Sequence, residues 1–231
     1  MRKQFLLALH TLDDAQVMRE AALAVGAGVD GILLVNNDGS LDGEDLFRLA
    51  RKLKDIHPGY VFGVNPLGMS TAEALDMAIL HSTYIDILWV DDGGVRETSD
   101  GATIDLAIAD LLLPKLPHPK YYGGIAFKYK EQPVDLATVA KMASRHFEAV
   151  ITSGSATGVE PDIEKIKTIK SVIGTTPLGI ASGINSSNAS KYLPYVDIYI
   201  VGSSLQLSKD DIHRYNKDKI KQLGEILHAQ D

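Results

Sequence analysis

The chain has 231 residues, 45% of them hydrophobic and 23% charged, with 23 Lys and Arg against 30 Asp and Glu for a net charge of -7. That composition is ordinary for a globular protein and excludes a disordered or fibrous one. With no cysteine, disulfides, Fe–S clusters and Cys-ligated zinc are excluded. The basic run "RKLK" at 51–54 reads as a solvated helix face beside Glu44 and Asp45, so no nucleic-acid partner is expected.

The opening "MRKQFLLALHTLDD" sets basic residues before an apolar run. The run is too short for a secretion signal and ends in His10 and two aspartates rather than a small-residue cleavage site. No stretch reaches membrane-spanning length without charge, so the expectation is a cytoplasmic protein with no membrane span. From here apolar runs alternate with helical patterns. "FLLALH" (5–10) precedes a helix over Asp13 to Val25, and "GILLVN" (31–36) precedes "DGEDLFRLARKLKDI", with Leu46, Leu49, Ala50 and Leu53 at helical spacing. "VFGVN" (61–65) precedes "STAEALDMAIL", opened by a Ser70–Glu73 capping box. "YIDILWV" (84–90) precedes "TIDLAIADLLL", closed by Pro114.

The second half keeps the rhythm. "YYGGIAFK" (121–128) precedes "DLATVAKMASRH", and "AVITSG" (149–154) precedes "PDIEKIKTIKSVI", with Pro161 at a helix start. "PLGIAS" (177–182) precedes "SSNASKYL", and "DIYIVGSS" (197–204) precedes "DDIHRYNKDKIKQLGEIL". Short, continuous runs rich in Val, Ile and Leu fit strands buried on both faces. Eight strand–helix units in strict alternation predict a single-domain α/β fold, a (β/α)8 TIM barrel over residues 1–231; a doubly wound open sheet is the alternative.

In such a barrel the loops after strands seven and eight often form a phosphate site. Here they carry "ASGI" and "VGSS". Gly183 and Gly202 would let the backbone approach an anion, and Ser182, Ser203 and Ser204 would add hydroxyls. Otherwise both glycines serve only tight turns. The strand ends His10, Asn36, Asn65, Asp91, Lys128 and Thr152 would point into the mouth. Asp91 is the candidate general base, provided the strand extends to it, with Asp92 in a "DDGG" turn as the competing reading. Lys128 would contact an anion or, with a lowered pKa, form a Schiff base, unless it is a solvated lysine like its neighbour Lys130. His10 is a candidate base or metal ligand against a structural, hydrogen-bonded role, and Asn65 would orient the substrate. No HxH or HExxH motif occurs, so neither metal nor cofactor is expected. Asp86 reads as a structural charge, and Trp89 as wall packing or, alternatively, a border of the substrate site. The loop "ITSGSATGVEPDIEKI" (151–166) is unusually small and polar, and its Thr152, Ser153, Gly154 and Thr157 could present donors to a sugar or phosphate.

The stretch "AVITSGSATGVEPDIEKIKTIKSVIGTTPLGIASGINSSNASKYLPYVDIYIVGSSL" (149–205) resembles the BtpA family. The matching motifs are Ile151-Thr152-Ser153-Gly154 with Thr157-Gly158, Ser182-Gly183-Ile184 with Asn188, and Asp197 with Val201-Gly202-Ser203. "GVD" at 28–30, "GVN" at 63–65 and "SDG" at 99–101 match earlier segments. Three places depart from the family's pattern. His10 is followed by Thr11-Leu12-Asp13 instead of a Pro-Leu-Pro-Gly segment; the second strand ends "VNND" rather than Glu-Asn; and Lys128 is followed by Tyr129 rather than His. The resemblance implies a divergent member of a phosphate-binding barrel family, linked in photosynthetic organisms to photosystem I biogenesis. The expected function is an enzyme acting on a small phosphorylated metabolite, a phosphosugar or phosphoribosyl compound, as an isomerase, epimerase or lyase. A non-catalytic ligand-binding or assembly factor is the alternative, and a homo-oligomer is possible in either case.

Overall fold

A computed structural model describes residues 2–112 and 119–229. Eight parallel strands close into a barrel, and two more form a hairpin outside it. In chain order the strands are β1 (Gln4–His10), β2 (Gly31–Val35), β3 (Val61–Asn65), β4 (Ile87–Val90), the hairpin pair β5 (Val95–Thr98) and β6 (Gly101–Ile104), then β7 (Lys120–Gly124), β8 (Ala149–Ser153), β9 (Leu178–Ala181) and β10 (Ile198–Val201). Barrel strands that follow one another in sequence are neighbours in space, and β10 closes the barrel by pairing with β1 from Gln4↔Ile198 to Leu7↔Val201. The outer layer holds α1 (Asp14–Val25), α2 (Gly43–Ile56), α3 (Thr71–Leu80), α4 (Leu106–Leu111), α5 (Leu136–Ala143), α6 (Ile163–Val172) and α7 (Lys217–His228).

Side chains alternate along each strand, so each barrel strand feeds two cores. Leu6, Ala8, Leu33, Val35, Ile87, Trp89, Tyr122, Ala149, Ile151, Ala181, Ile198 and Ile200 fill the barrel. Phe5, Leu7, Leu9, Ile32, Leu34, Val150, Ile180 and Tyr199 face the helices. Small residues on several strands leave width for Trp89, whose ring meets Phe127 edge-on at 6.1 Å between centroids. The expected capping box of α3 is present between Ser70 and Glu73, and Asp42 with Asp45 forms another on α2. Asp86 is structural: it accepts from the Phe62 amide at 2.8 Å and from Lys54 Nζ at 2.8 Å, just before β4 begins.

The fold departs from the predicted elements at four places. Between β4 and α4 the chain inserts the β5–β6 hairpin, joined by Ser99-Asp100. The helix expected from residue 103 therefore starts at Leu106, N-capped by Asp105; its predicted stop, Pro114, lies outside the described residues. The predicted strand "YYGGIAFK" ends at Gly124, because the chain turns at Ala126, where φ is +43°. Beyond β9 only a 3-10 turn forms, Ala189–Tyr192, and the last helix begins at Lys217 rather than Asp210. The loop before that last helix is pinned by the Gln206↔Tyr215 bridge.

Candidate functional site

At the C-terminal ends of the strands lies a cavity of about 650 Å³. His10, Asn65, Asp91, Lys128, Thr157, Ser182, Gly183, Gly202 and Ser203 all line it, so nine of the predicted site residues meet in one place. Two do not. Thr152 is fully buried, and its hydroxyl donates to the Ile125 carbonyl at 3.0 Å. Its neighbours Ile151 and Ser153 hold the inward positions, so alternation turns Thr152 outward. Gly154 is packed under the far side of its own loop, where an added Cβ would sit 2.0 Å from the Val159 carbonyl oxygen. Asn36 is also structural. It donates to the Leu67 carbonyl at 3.0 Å and accepts from the Leu67 amide at 2.8 Å, fastening the loop after β3.

The loops after β9 and β10 are side by side. Ser204 Oγ donates to the Ile184 carbonyl and links them. Asn188 shapes the first loop, donating to the Gly183 carbonyl at 2.8 Å while its Oδ1 accepts from the Asn185 amide at 2.9 Å. Gly183 has φ +70°, and Ser182 beside it adopts +73°. The backbone N–H groups of Gly183, Ile184, Ser203 and Ser204 meet no acceptor among the described residues. Four free donors on two linked loops lie along one wall of the cavity.

Across the mouth, Asp91 accepts from Asn65 Nδ2 at 3.1 Å. Burial pushes its pKa above the usual carboxylate range, against the pull of that hydrogen bond and of Lys128 and Lys130. Asp92 is committed elsewhere: Arg96 grips it with two hydrogen bonds of 2.7 and 2.6 Å, and it caps the Gly94 amide at 3.0 Å. The inward carboxylate is therefore Asp91. Lys128 Nζ donates to Thr157 Oγ1 at 3.2 Å, while Lys130 lies outside this cavity, lining the pockets beside the hairpin. The chain leaves β7 through left-handed residues Ala126 and Tyr129, at φ +43° and +60°. Lys165 supports that bend by donating to the Ala126 and Ser153 carbonyls, and its burial lowers its pKa to about 8.

His10 stays neutral well into the acid range: burial first, then His213 and Lys128, bring its pKa down to about 4, with Asp38 opposing. Folding thus excludes a proton that the unfolded imidazole binds. The resulting stability is complete above pH 6.5 and is lost as pH falls toward 4. At pH 4 the loss is on the order of 3 kcal/mol. His10→Gln is expected to flatten this part of the stability profile, measured by urea unfolding at several pH values; an unchanged profile would refute the assignment.

Among the cavity residues that escaped sequence reading are Asn37, Gln206, Lys209 and Ile212. They sit on the loops after β2 and β10, outside any strand pattern. Trp89 reaches the cavity from the barrel wall, and its buried indole N–H has no acceptor among the described residues. It is the only tryptophan. Its emission is expected to change when a ligand enters the cavity, read by fluorescence titration; an invariant spectrum with a ligand shown to bind would place that ligand elsewhere. No group of three or more His, Asp or Glu that could hold a metal occurs among the described residues. Nor is any helix there long and apolar enough to cross a membrane.

Residues 125–229 match the BtpA family model, and the stretch 149–205 that carries the resemblance lies wholly inside that match. Two curated relatives are uncharacterized proteins. The one from Pyrococcus horikoshii is 31% identical over 80 residues, covering 35% of this chain and 30% of the relative. The one from Methanocaldococcus jannaschii is 29% identical over 137 residues, covering 57% of this chain and 49% of the relative. The match thus spans less than half the length of either. Among solved structures, 3-hexulose-6-phosphate synthase from Salmonella typhimurium superposes with a TM-score of 0.72 at 16% identity, over 99% of this chain and 100% of that one. Phosphoribosyl anthranilate isomerase from Thermus thermophilus gives 0.65 at 13% identity, over all of both chains. At such identities the likeness establishes the TIM-barrel fold.

Proposed function

We propose that this protein is an enzyme acting on a small phosphorylated metabolite, a phosphosugar or phosphoribosyl compound. The observation that carries the reading is the pairing of the β9 and β10 loops by Ser204 and Ile184, with four unengaged amides on residues that line the cavity that also holds Asp91. Those amides and the Ser203 hydroxyl would receive the phosphate. A carboxylate kept partly desolvated at the opposite wall is suited to move a proton next to a carbonyl, as an isomerase, epimerase or lyase requires. Asn65 would fix the orientation of that carboxylate, and Lys128 would balance negative charge developing on the substrate. Two solved structures that share the fold are named for phosphorylated substrates, which accords with this reading.

The test is a thermal-shift screen against inorganic phosphate, phosphosugars and phosphoribosyl compounds, with Ser203→Asp in parallel. A ligand that binds only the folded chain raises the melting temperature by mass action. Stabilisation of the wild type, lost when Ser203→Asp sets a negative charge among the amides, is expected. No shift with any phosphorylated compound would overturn the reading. Tight binding without turnover would instead favour a ligand-binding or assembly factor.

A further inference from the structure

The hydrogen bonds around Gln206 decide which nitrogen of His10 carries the proton. Gln206 is buried, 3% exposed, and its Nε2 donates to the Ile212 carbonyl at 2.8 Å. A carbonyl oxygen only accepts, so the nitrogen end of the amide is fixed on that side. The same nitrogen lies 3.0 Å from His10 Nδ1. Its second N–H is therefore offered to Nδ1, and Nδ1 must accept. A neutral imidazole that accepts at Nδ1 carries its proton at Nε2. Nε2 meets no acceptor among the described residues. It stands 3.3 Å from the point that a Cβ on Gly202 would occupy, so it overhangs the loop after β10. The ring's backbone is also anchored, because the His10 amide donates to Tyr215 Oη at 2.8 Å and Tyr215 donates on to the Ala8 carbonyl at 2.9 Å.

We propose that Gln206 is a positioning residue that locks His10 as a neutral Nε2–H donor, and that this donor holds an oxygen of the ligand's phosphate over Gly202. The proposal rests on the phosphate reading above and assigns to it two residues and a protonation state. The charged groups nearest the ring leave the neutral form in place: His213 and Lys128 oppose a second proton, and Asp38, paired with His213 at 2.8 Å, is the one that favours it. His10 is then neither base nor metal ligand. Proton transfer falls to Asp91 across the cavity. Ile212 belongs to the loop that also brings Lys209 to the rim, so the amide that orients His10 also fastens that loop over the site.

Long-range ¹H–¹⁵N NMR of the histidine rings tests this on the wild-type chain. His10→Gln assigns the relevant peaks among the seven histidines. Expected is a neutral His10 with Nε2 protonated and Nδ1 bare at pH 6 to 7. Inorganic phosphate should move the Nε2 resonance saturably, together with the amides of Ser203 and Ser204. Gln206→Glu, which accepts where Gln206 donates, should place a proton on Nδ1 and raise the His10 titration midpoint by more than one pH unit. A protonated Nδ1 in the wild type overturns the lock. Movement of the Ser203 and Ser204 amides without Nε2 overturns the ligand contact and spares the phosphate site. If neither moves, the phosphate site itself fails, and the contact with it.

Discussion

Asp91→Asn should lose turnover by 10²- to 10⁴-fold, about the contribution of a positioned general acid or base, while the folded chain becomes more stable at neutral pH. The two effects share one cause. Burial raises the pKa of Asp91 in the folded chain, so holding it as a carboxylate costs free energy that the unfolded chain does not lose. For an acid with a raised folded pKa, this penalty is absent below the unfolded value of 3.8. It grows as pH rises toward the folded value and is constant above it. The amide of Asp91→Asn would keep an acceptor oxygen for Asn65 Nδ2 and remove the charge. Calorimetry at pH 7 should show a higher melting temperature for Asp91→Asn, with the gap closing at acid pH. Phosphate binding should persist, because the loops after β9 and β10 are untouched. A variant that turns over like the wild type would remove Asp91 from the chemistry. A destabilised one would mean that the charge supports the fold through Lys128 and Lys130.

Much of this site was readable from strand alternation. Once β4 is taken through Trp89, Asp91 shares its inward parity; the same count carries Ala8 to His10, Gly63 to Asn65 and Ile200 to Gly202. The same count excludes Thr152, since Ile151 and Ser153 flank it at the inward positions, and its hydroxyl is used inside the wall. What alternation cannot reach is set by loop course. Gln206 and Ile212 bear on His10 only because the chain folds back at the Gln206↔Tyr215 bridge. The β5–β6 hairpin did leave a trace: four-residue segments pair antiparallel across Ser99-Asp100, with Gly101 at φ +142° just after the turn. That trace is weak, because β5 is exposed beyond Val95, β6 is buried only at Ile104, and neither carries a continuous apolar pattern.

Gly183→Ala should weaken phosphate binding by tenfold or more and cost more than about 1 kcal/mol of stability. Two constraints meet at this residue. Its φ of +70° is disfavoured for a residue with a Cβ, and that Cβ would lie 2.2 Å from the Glu160 amide nitrogen and the Val159 carbonyl carbon. Both are backbone atoms, so one loop must shift. The loop after β9 moves against its anchors, the Asn188 bond to the Gly183 carbonyl and the Ser204 bond to the Ile184 carbonyl. Displacing Ile184 separates the two sets of amides on which the phosphate site depends. Ser182 provides the control, since it has a similar positive φ, +73°, with a side chain already in place. Ser182→Gly relieves strain in the folded chain but loosens the unfolded one, so it should stay within about 1 kcal/mol of the wild type and retain the ligand. Isothermal titration with inorganic phosphate and urea unfolding of both variants would read these effects. Undiminished phosphate binding by Gly183→Ala would mean that the close approach of the two loops serves packing alone.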